Sequence, residues 1–443
     1  MPQLTRIEDI GKPRVVIIGG GFAGIELAKS LADAPVQIVL VDKQNHHTFQ
    51  PLLYQVATAG LEADSIVHPF RRIFDEQKNL YYRMAEVLSV DAVNQIVETT
   101  IGLQRYDYLV LATGATTNFY GNKQIEQCAI PIKNIQDALS LRNTILSNFE
   151  KVLQIEDDEQ MNSLMDFVIV GGGPTGVEVA GALSELRAHV FPKDYRELDF
   201  VHMDIHLIQS GPRLLNGMSD EAAQKALKYL QDFGVQVWLN RRVQSYDGYT
   251  VSLDTGEKLI SRTLIWAAGV SCDPIPGIRK ESVAKGGRLL VDAHNRVQGY
   301  DNIFAIGDIA AMVSEEYPQG HPMMAQPAMQ QGRTLGKNLG RLLSGKTMEA
   351  FSYNDQGAMA TIGRNHAVAD LKVFNKEYKT QGFFAWLIWM FIHLISVVGF
   401  RNRLVVFLNW MWSYFSYDKG IRLIIGPIKE NVPVEAVNSK TVT

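Results

Sequence analysis

Val15-Val16-Ile17-Ile18-Gly19-Gly20-Gly21-Phe22-Ala23-Gly24-Ile25-Glu26-Leu27-Ala28 is the stretch that decides the fold. Four continuous apolar residues read as a strand buried on both faces of a parallel sheet. They run straight into a glycine turn and then into a helical pattern. This strand–turn–helix unit sets a pyrophosphate on a helix N-terminus. Gly19 permits the tight turn, Gly21 lets phosphate approach the backbone, and Gly24 packs the helix close to the strand. A second strand, Gln37 to Val41, ends at Asp42, whose carboxylate is placed to accept hydrogen bonds from a ribose.

The same grammar returns at Phe167 to Val170, followed by Gly171-Gly172-Gly173-Pro174-Thr175-Gly176. Each copy is closed by a strand ending in a small-residue turn: Tyr108 to Gly114 in the first, Thr263 to Gly269 in the second. Gly24 to Gly114 is 90 residues and Gly176 to Gly269 is 93. One such turn also arises from packing alone, whereas two with matching closure point to two dinucleotide sites. Two sites in one chain suggest an electron relay, one ligand held and the other exchanging. Asn302-Ile303-Phe304-Ala305-Ile306-Gly307-Asp308 then reads as the strand that closes an FAD site in flavoproteins with two such domains. There the aspartate bonds the ribityl chain and a following helix points its positive end at the flavin. The plainer alternative is a strand followed by an Asp N-cap.

Composition removes other classes. The chain has 443 residues, a net charge of -4 and 46% hydrophobic residues, ordinary for a packed protein of two or three domains. It lacks the basic excess of a nucleic-acid binder. Cys128 and Cys272, 144 residues apart, leave no disulfide scaffold, structural zinc or CxxC pair, and no metal site is expected. The first residues lack the pattern of a secretory signal, so retention in the compartment of synthesis is expected.

Several further motifs resemble the type II NADH:quinone oxidoreductases, single-subunit NADH dehydrogenases that pump no protons. They are Asn45-His46-His47-Thr48-Phe49-Gln50-Pro51-Leu52-Leu53-Tyr54-Gln55-Val56-Ala57, Ala325-Gln326-Pro327-Ala328-Met329-Gln330-Gln331-Gly332, and the tail segments Ile392-His393 and Gly399 to Arg403. The resemblance covers Val15 to about Ile425. It implies non-covalent FAD, NADH as donor and a membrane quinone, ubiquinone or menaquinone, as acceptor in a respiratory chain. Residue by residue, it implies FAD contacts from Gly19, Gly21, Phe22, Ala23, Gly24, Asp42, Lys43, Pro51, Val87, Thr113, Gly114, Asp308, Ala325 and Gln326. It implies NADH contacts from Gly173, Pro174, Thr175, Gly176, Glu178, Gln209 and Gly269. Glu178, Gln326 and Gln330 are the catalytic candidates, the two glutamines facing the quinone. The plainer readings are a first-turn glutamate favoured by the helix dipole and glutamines that cap or solvate a helix. His46 and His47, adjacent and therefore pointing apart, are read as structural.

One position departs from the family pattern. The second ribose-reading strand, Ile205 to Ile208, ends at Gln209, where NADH-preferring members usually carry Glu. A neutral amide removes most of the repulsion of a 2′-phosphate, so NADPH is expected as a second donor. Disulfide reductases need a cysteine pair soon after the first turn, and sulfide:quinone oxidoreductases need a cysteine beyond the Gly-Asp element; neither is present. A diaphorase with soluble acceptors and a non-enzymatic nucleotide sensor on a membrane remain as rivals.

The tail carries four of the six tryptophans, Trp386, Trp389, Trp410 and Trp412. Residues 382–400 are nearly all apolar and close to the length of a membrane span. From Asn402, the polar residues Asn409, Ser413 and Ser416 recur at helical spacing among apolar ones. Between Lys372 and Arg422 seven Lys/Arg face two acids, Glu377 and Asp418. Helices lying in the bilayer surface are expected, with a span, a dimer interface and a buried core helix as alternatives. The expected architecture is an α/β protein of the glutathione-reductase-like type with two Rossmann-like domains and C-terminal amphipathic membrane helices. The FAD domain is placed at 1–140 and 286–350, the NAD(P)H domain at 141–285, and the membrane-association region at 351–443. A homodimer, peripheral on the cytoplasmic face of the inner membrane or its organellar equivalent, completes the expectation.

Overall fold

A computed structural model describes residues 5–373, 376–417 and 420–426; Asp418, Lys419 and residues 427–443 lie outside the described residues. The chain packs as two compact units. The first comprises Met1–His47, His68–Thr116 and Val270–Asp355, and the second Thr48–Val67, Thr117–Gly269 and everything from Gln356 on.

The first unit is built on a parallel sheet of β1 (Arg14–Ile18), β2 (Gln37–Asp42), β3 (Leu80–Met84) and β4 (Tyr108–Leu111), joined by the strand Ile303–Ala305. Their order is Ile303–Ala305, β4, β1, β2, β3. All pairings are parallel, with Val15 opposite Ile38 on one side and Tyr108 on the other. Both faces are covered, which is why these strands are continuously apolar. The helix α1 (Phe22–Ser30) lies over the sheet, and the long helix Ala325–Leu343 packs on it. Gly332 and Gly336 make that approach possible, since a Cβ at Gly332 would run into the Ala23 carbonyl.

The second unit repeats the plan. The strands β5 (Phe167–Val170), β6 (Ile205–Gln209), β7 (Gln236–Leu239) and β8 (Thr263–Trp266) are parallel in the order Ile130–Pro131, β8, β5, β6, β7. A three-stranded antiparallel meander sits between the third and closing strands of both copies, Val87–Arg105 in one and Val243–Ile260 in the other. The repeat inferred from glycine spacing is thus a repeat of topology.

The packing moves the expected edges. Residues 117–140 join the second unit because Ile130–Pro131 pairs with β8 and Ile125, Cys128 and Ala129 enter that unit's core. Residues 270–285 join the first, where Cys272 and Ile278 pack in its core and the Val90 amide bonds the Pro276 carbonyl. The tail is not a separate body. Strands β9 (Gly357–Thr361), β10 (Ala367–Val373) and β11 (Lys376–Gln381) form an antiparallel sheet within the second unit. Two helices follow it.

Residues 382–400 do not form one helix. The chain is helical over α2 (Phe383–Ser396), extends at Val397, turns at Gly399 with φ +87°, and restarts as α3 (Phe400–Ser416). Among the described residues no helix is long and apolar enough to cross a membrane. Each helix has one buried edge, Ala385 and Trp389 on α2 and Asn402, Val406 and Trp410 on α3. Opposite them Phe384, Phe391, Phe407, Leu408, Trp412 and Phe415 are exposed. Trp410, one of the four tryptophans expected at the bilayer surface, therefore belongs to the interior. Its indole N–H donates to the Gln55 carbonyl at 2.7 Å.

Candidate functional site

In the first unit, the turn after β1 is shaped for a close-lying ligand. Gly19 has φ +103°, and a Cβ there would meet the Ala112 carbonyl; at Gly24 it would meet the Gly19 carbonyl. Gly21, by contrast, faces open space. It is the N-cap of α1, a helix that no side chain caps, and the positive end of a helix suits a phosphate. Asp42 at the end of β2 turns back onto this turn, accepting from the Gly20 amide at 2.6 Å and from Gln44 at 2.7 Å. Burial raises its carboxyl above the usual range against these bonds. His47 accepts no catalytic task here: its ring packs 5.0 Å from Phe22 and its Nδ1 bonds the Gly20 carbonyl at 3.2 Å. Burial pushes its imidazole down to about 4, so it is neutral and structural.

The other expected first-unit positions scatter around this turn with different jobs. Ala23 is buried beside Gly307. Thr113 and Gly114 follow β4, Gly114 at φ +71°. Lys43 pairs with Glu86 at 2.7 Å on the surface, and Val87 opens the meander. Asp308 sits in a single 3-10 turn, Gly307–Ile309, whose first amide donates to Gln331 Oε1 at 2.7 Å. The helix that follows starts at Ala325, after Ala310–Met312 has paired as a strand with Leu289–Val291. Ala325 and Gln326 open that helix, which has no side-chain cap. Gln330 is otherwise engaged: its amide donates to the Asn354 carbonyl and its carbonyl accepts from the Asn354 amide, both at 2.9 Å. That bracing fixes the orientation of its amide. Pro51 is the middle residue of a 3-10 turn, Gln50–Leu52, in the second unit.

The second unit repeats the cradle. Gly171 has φ +113° and would clash with the Ala267 carbonyl, Gly176 with the Gly171 carbonyl, while Gly173 faces open space. Gly173 is the N-cap of the helix Pro174–Glu185, again without a side-chain cap, and Pro174 lacks an amide that would need one. Gln209 stands where Asp42 stands, its Oε1 accepting from the Gly172 amide at 2.9 Å.

Glu178 follows on the same helix and is only 8% exposed. It lines a cavity that opens to the surface, together with Tyr54, Glu185, Arg364, Trp389 and Tyr414. Burial pushes its carboxyl up to about 8, partly offset by a bond from the Thr361 backbone. The wall is a chain of aromatic and amide groups: Trp410 donates to Gln55, which donates to the Tyr54 hydroxyl at 2.8 Å. Tyr54 is held neutral, its phenol raised well above its ordinary value by burial and then by Glu178. Trp389 stacks on His393 at 4.0 Å, and His393 is lowered to about 4 by burial. Arg364 closes one side, donating to the Tyr414 and Ser413 carbonyls at 2.9 and 2.6 Å in the last turn of α3. That satisfies orphan carbonyls and complements the helix dipole. Gly181 lets the helix touch Ile362, where any Cβ would collide with the backbone.

Comparisons with known proteins settle the family. Residues 13–332 match the family model described as pyridine nucleotide-disulphide oxidoreductase, and residues 356–416 match the NDH2 C-terminal domain. The chain is 36% identical over 426 residues to the type II NADH:quinone oxidoreductase Ndh of Mycobacterium tuberculosis, covering 92% of this chain and 89% of that one.

The chain belongs to the type II NADH:quinone oxidoreductases.

It is therefore an oxidoreductase of the NADH dehydrogenase kind. A mitochondrial internal alternative NAD(P)H-ubiquinone oxidoreductase A1 of Arabidopsis thaliana is 32% identical, with 91% and 84% coverage. Among solved structures, the fold matches NDH2 from Plasmodium falciparum in complex with NADH at TM-score 0.84 and 20% identity, covering 94% of this chain and all of that one. It also matches the sulfide:quinone oxidoreductase of Aquifex aeolicus at TM-score 0.69 and 18% identity, over 94% and 96% of the two chains. The likeness to the sulfide enzyme is one of fold. In this type II chain both cysteines are buried and neither is disulfide-bonded.

Sequence reasoning reached Glu178 and the two glycine cradles. Tyr54, Trp389 and Trp410 stood in segments quoted from the sequence without a role of their own, and Arg364, in the turn between β9 and β10, carried no signal.

Proposed function

We propose that the protein is a membrane-surface enzyme that oxidises NADH through a non-covalent FAD and reduces a membrane quinone, without pumping protons. Gly19, Gly21, Gly24 and the N-terminal turn of α1 would hold the FAD pyrophosphate, Asp42 its ribose and Asp308 its ribityl chain. Phe22, Ala23, Lys43, Pro51, Val87, Thr113 and Gly114 would complete that site, with Ala325 and Gln326 toward the ring. The turn fits such a group: a Cβ at Gly19 or Gly24 would strike backbone and break its tight path, while Gly21 faces open space where a phosphate can approach. When bound, FAD supplies the acceptor for hydride and the donor of two electrons.

The second unit would bind NADH as substrate through Gly173, Pro174, Thr175, Gly176 and Gly269. Gln209 supports use of NADPH as well, because its side chain is uncharged and would not repel a 2′-phosphate. The observation that carries the quinone assignment is the aromatic cavity around Glu178, walled by the same two helices whose outer edges are apolar. Its tryptophan and tyrosine rings suit a flat apolar head group and exclude water. Quinone reduction consumes two electrons and two protons, of which NADH supplies both electrons and one proton. Glu178, protonated at neutral pH, would release the other at a quinone oxygen and recover it from solvent. The exposed edges of α2 and α3 would lie in the lipid interface.

Anaerobic stopped-flow tests the reading. NADH should bleach the flavin of the purified protein, and a quinone added second should restore its colour within the turnover time. Restoration by ferricyanide but by no quinone would favour a diaphorase, and absence of bound flavin would end the proposal.

A further inference from the structure

Tyr120 carries a feature that the sequence did not expose. It is 67% exposed, yet its backbone holds φ +52°, a conformation that non-glycine residues rarely keep without a reason. Three hydrogen bonds fix it there. Its hydroxyl donates to the Ala268 carbonyl at 2.7 Å, its amide donates to Asn118 Oδ1 at 2.8 Å, and the Asn118 amide donates to the Gly269 carbonyl at 3.1 Å. Trp266 of β8 donates to the Asn118 carbonyl at 2.8 Å and packs on Phe119, which is half-buried against the unit's core. The Tyr120 hydroxyl lies close over Gly269, 2.5 Å from where a Cβ would stand, and Gly269 itself has φ +141°. An aromatic ring is thus pinned, outward, on the turn that follows β8.

Topology says what that turn faces. From β5 the chain moves outward to β6 and β7, then returns to β8 on the opposite side of β5. The order reverses between β5 and β8, and in such sheets a dinucleotide lies across that crevice at the carboxyl ends of the strands. The pyrophosphate belongs at the Gly173 turn after β5. Gln209, at the end of β6, marks the side of the adenine ribose. The other half must therefore run toward the β8 side, where Tyr120 stands. We infer that Tyr120 is a binding residue for the nicotinamide riboside half of NADH, an aromatic surface held ready by the Ala268 and Gly269 turn. This rests on the proposed use of the second unit for NADH.

The test uses full-length, flavin-loaded protein and two variants. Tyr120→Gly removes the ring and tolerates the positive φ, and Tyr120→Phe keeps the ring without the tether. Kd for NAD+ and for AMP is measured by calorimetry, and Kd for NADH from the concentration dependence of flavin reduction. Tyr120→Gly should weaken NADH and NAD+ by about five- to tenfold, as expected for one lost aromatic contact. AMP, which has no nicotinamide half, should bind within twofold of wild type. Tyr120→Phe should fall between wild type and Tyr120→Gly. Equal loss of AMP and NAD+ would mean that Tyr120 acts through the fold or on the adenosine half, and unchanged binding of all three would make it a linker fastening; either overturns the inference. Should Tyr120→Gly fail to fold, Tyr120→Asn, which also tolerates this φ, takes its place with the same outcomes. If wild type itself binds neither NAD+ nor NADH, the proposed function fails before Tyr120 is in question.

Discussion

Glu178 holds a proton that an unfolded chain would have released, since burial moves its carboxyl from 4.5 up to about 8. The folded state therefore binds more protons between these values. The stability this contributes is complete below pH 4.5 and is lost as pH rises through about 8. Glu178→Gln, which cannot titrate, should show a flatter profile, and thermal melts at pH 5 and pH 9 read the difference, at most ~5 kcal/mol. The same variant should slow flavin reoxidation by quinone about 100-fold, as for loss of a general acid, while flavin reduction by NADH stays within about twofold. A slowed reductive half-reaction alone would remove Glu178 from quinone chemistry. Gln209→Glu should suppress NADPH turnover by about tenfold or more relative to NADH, since the carboxylate faces the 2′-phosphate; equal loss of both donors would refute that placement. Gln209 was legible because the repeat puts it where Asp42 stands. Gln330 was not, because nothing in its neighbourhood of sequence announces the Asn354 backbone that occupies both ends of its amide.

At the scale of the element, α3 shows why an apolar pattern can be read only halfway. Its composition announces a helix with little polar surface, yet inner and outer edges are both aromatic, so periodicity does not say which tryptophan faces in. The fold decides it: Trp410 is buried and bonded to Gln55, whereas Trp412 is 66% exposed. The two substitutions should separate cleanly. Trp410→Ala should cost about 3–5 kcal/mol of stability, the usual range for a large aromatic removed from a core, with membrane affinity retained. Trp412→Ala should change stability by no more than about 0.5 kcal/mol while weakening sedimentation with anionic lipid vesicles. Melting and sedimentation of both variants check the pair, and a reversed pattern would mean that the edges are misassigned. The break at Gly399 was equally hidden, because a glycine inside an apolar run is compatible with a continuous helix until its φ of +87° is seen.

Across the whole molecule, the repeated sheets follow from the glycine turns, but the tail's membership of the second unit could not be read from any motif. It arises from contacts distant in sequence, such as Gly181 against Ile362, Asn402 donating to the Val67 carbonyl at 2.8 Å, and Arg364 capping α3. One consequence concerns how membrane attachment can be tested. Removing the chain from Gly382 would delete Trp389, Trp410 and Tyr414 from the wall around Glu178, so loss of quinone turnover would say nothing about lipid. Substitution of the outer edge alone is the sharper experiment. Phe384, Phe391, Phe407, Trp412 and Phe415, each exposed, are changed together to Ser while Ala385, Trp389, Val406 and Trp410 keep the inner edge. The resulting protein should stay folded with its flavin and leave vesicles. It should reduce a short-chain, water-soluble quinone with kcat/KM within about twofold of wild type, since nothing that lines the cavity has changed. Turnover of a long-chain quinone carried in vesicles should fall by an order of magnitude or more, because the enzyme no longer meets its acceptor at the bilayer. Retention on vesicles with full long-chain activity would show that the apolar edges serve some other contact, and attachment would then have to be sought elsewhere on the chain.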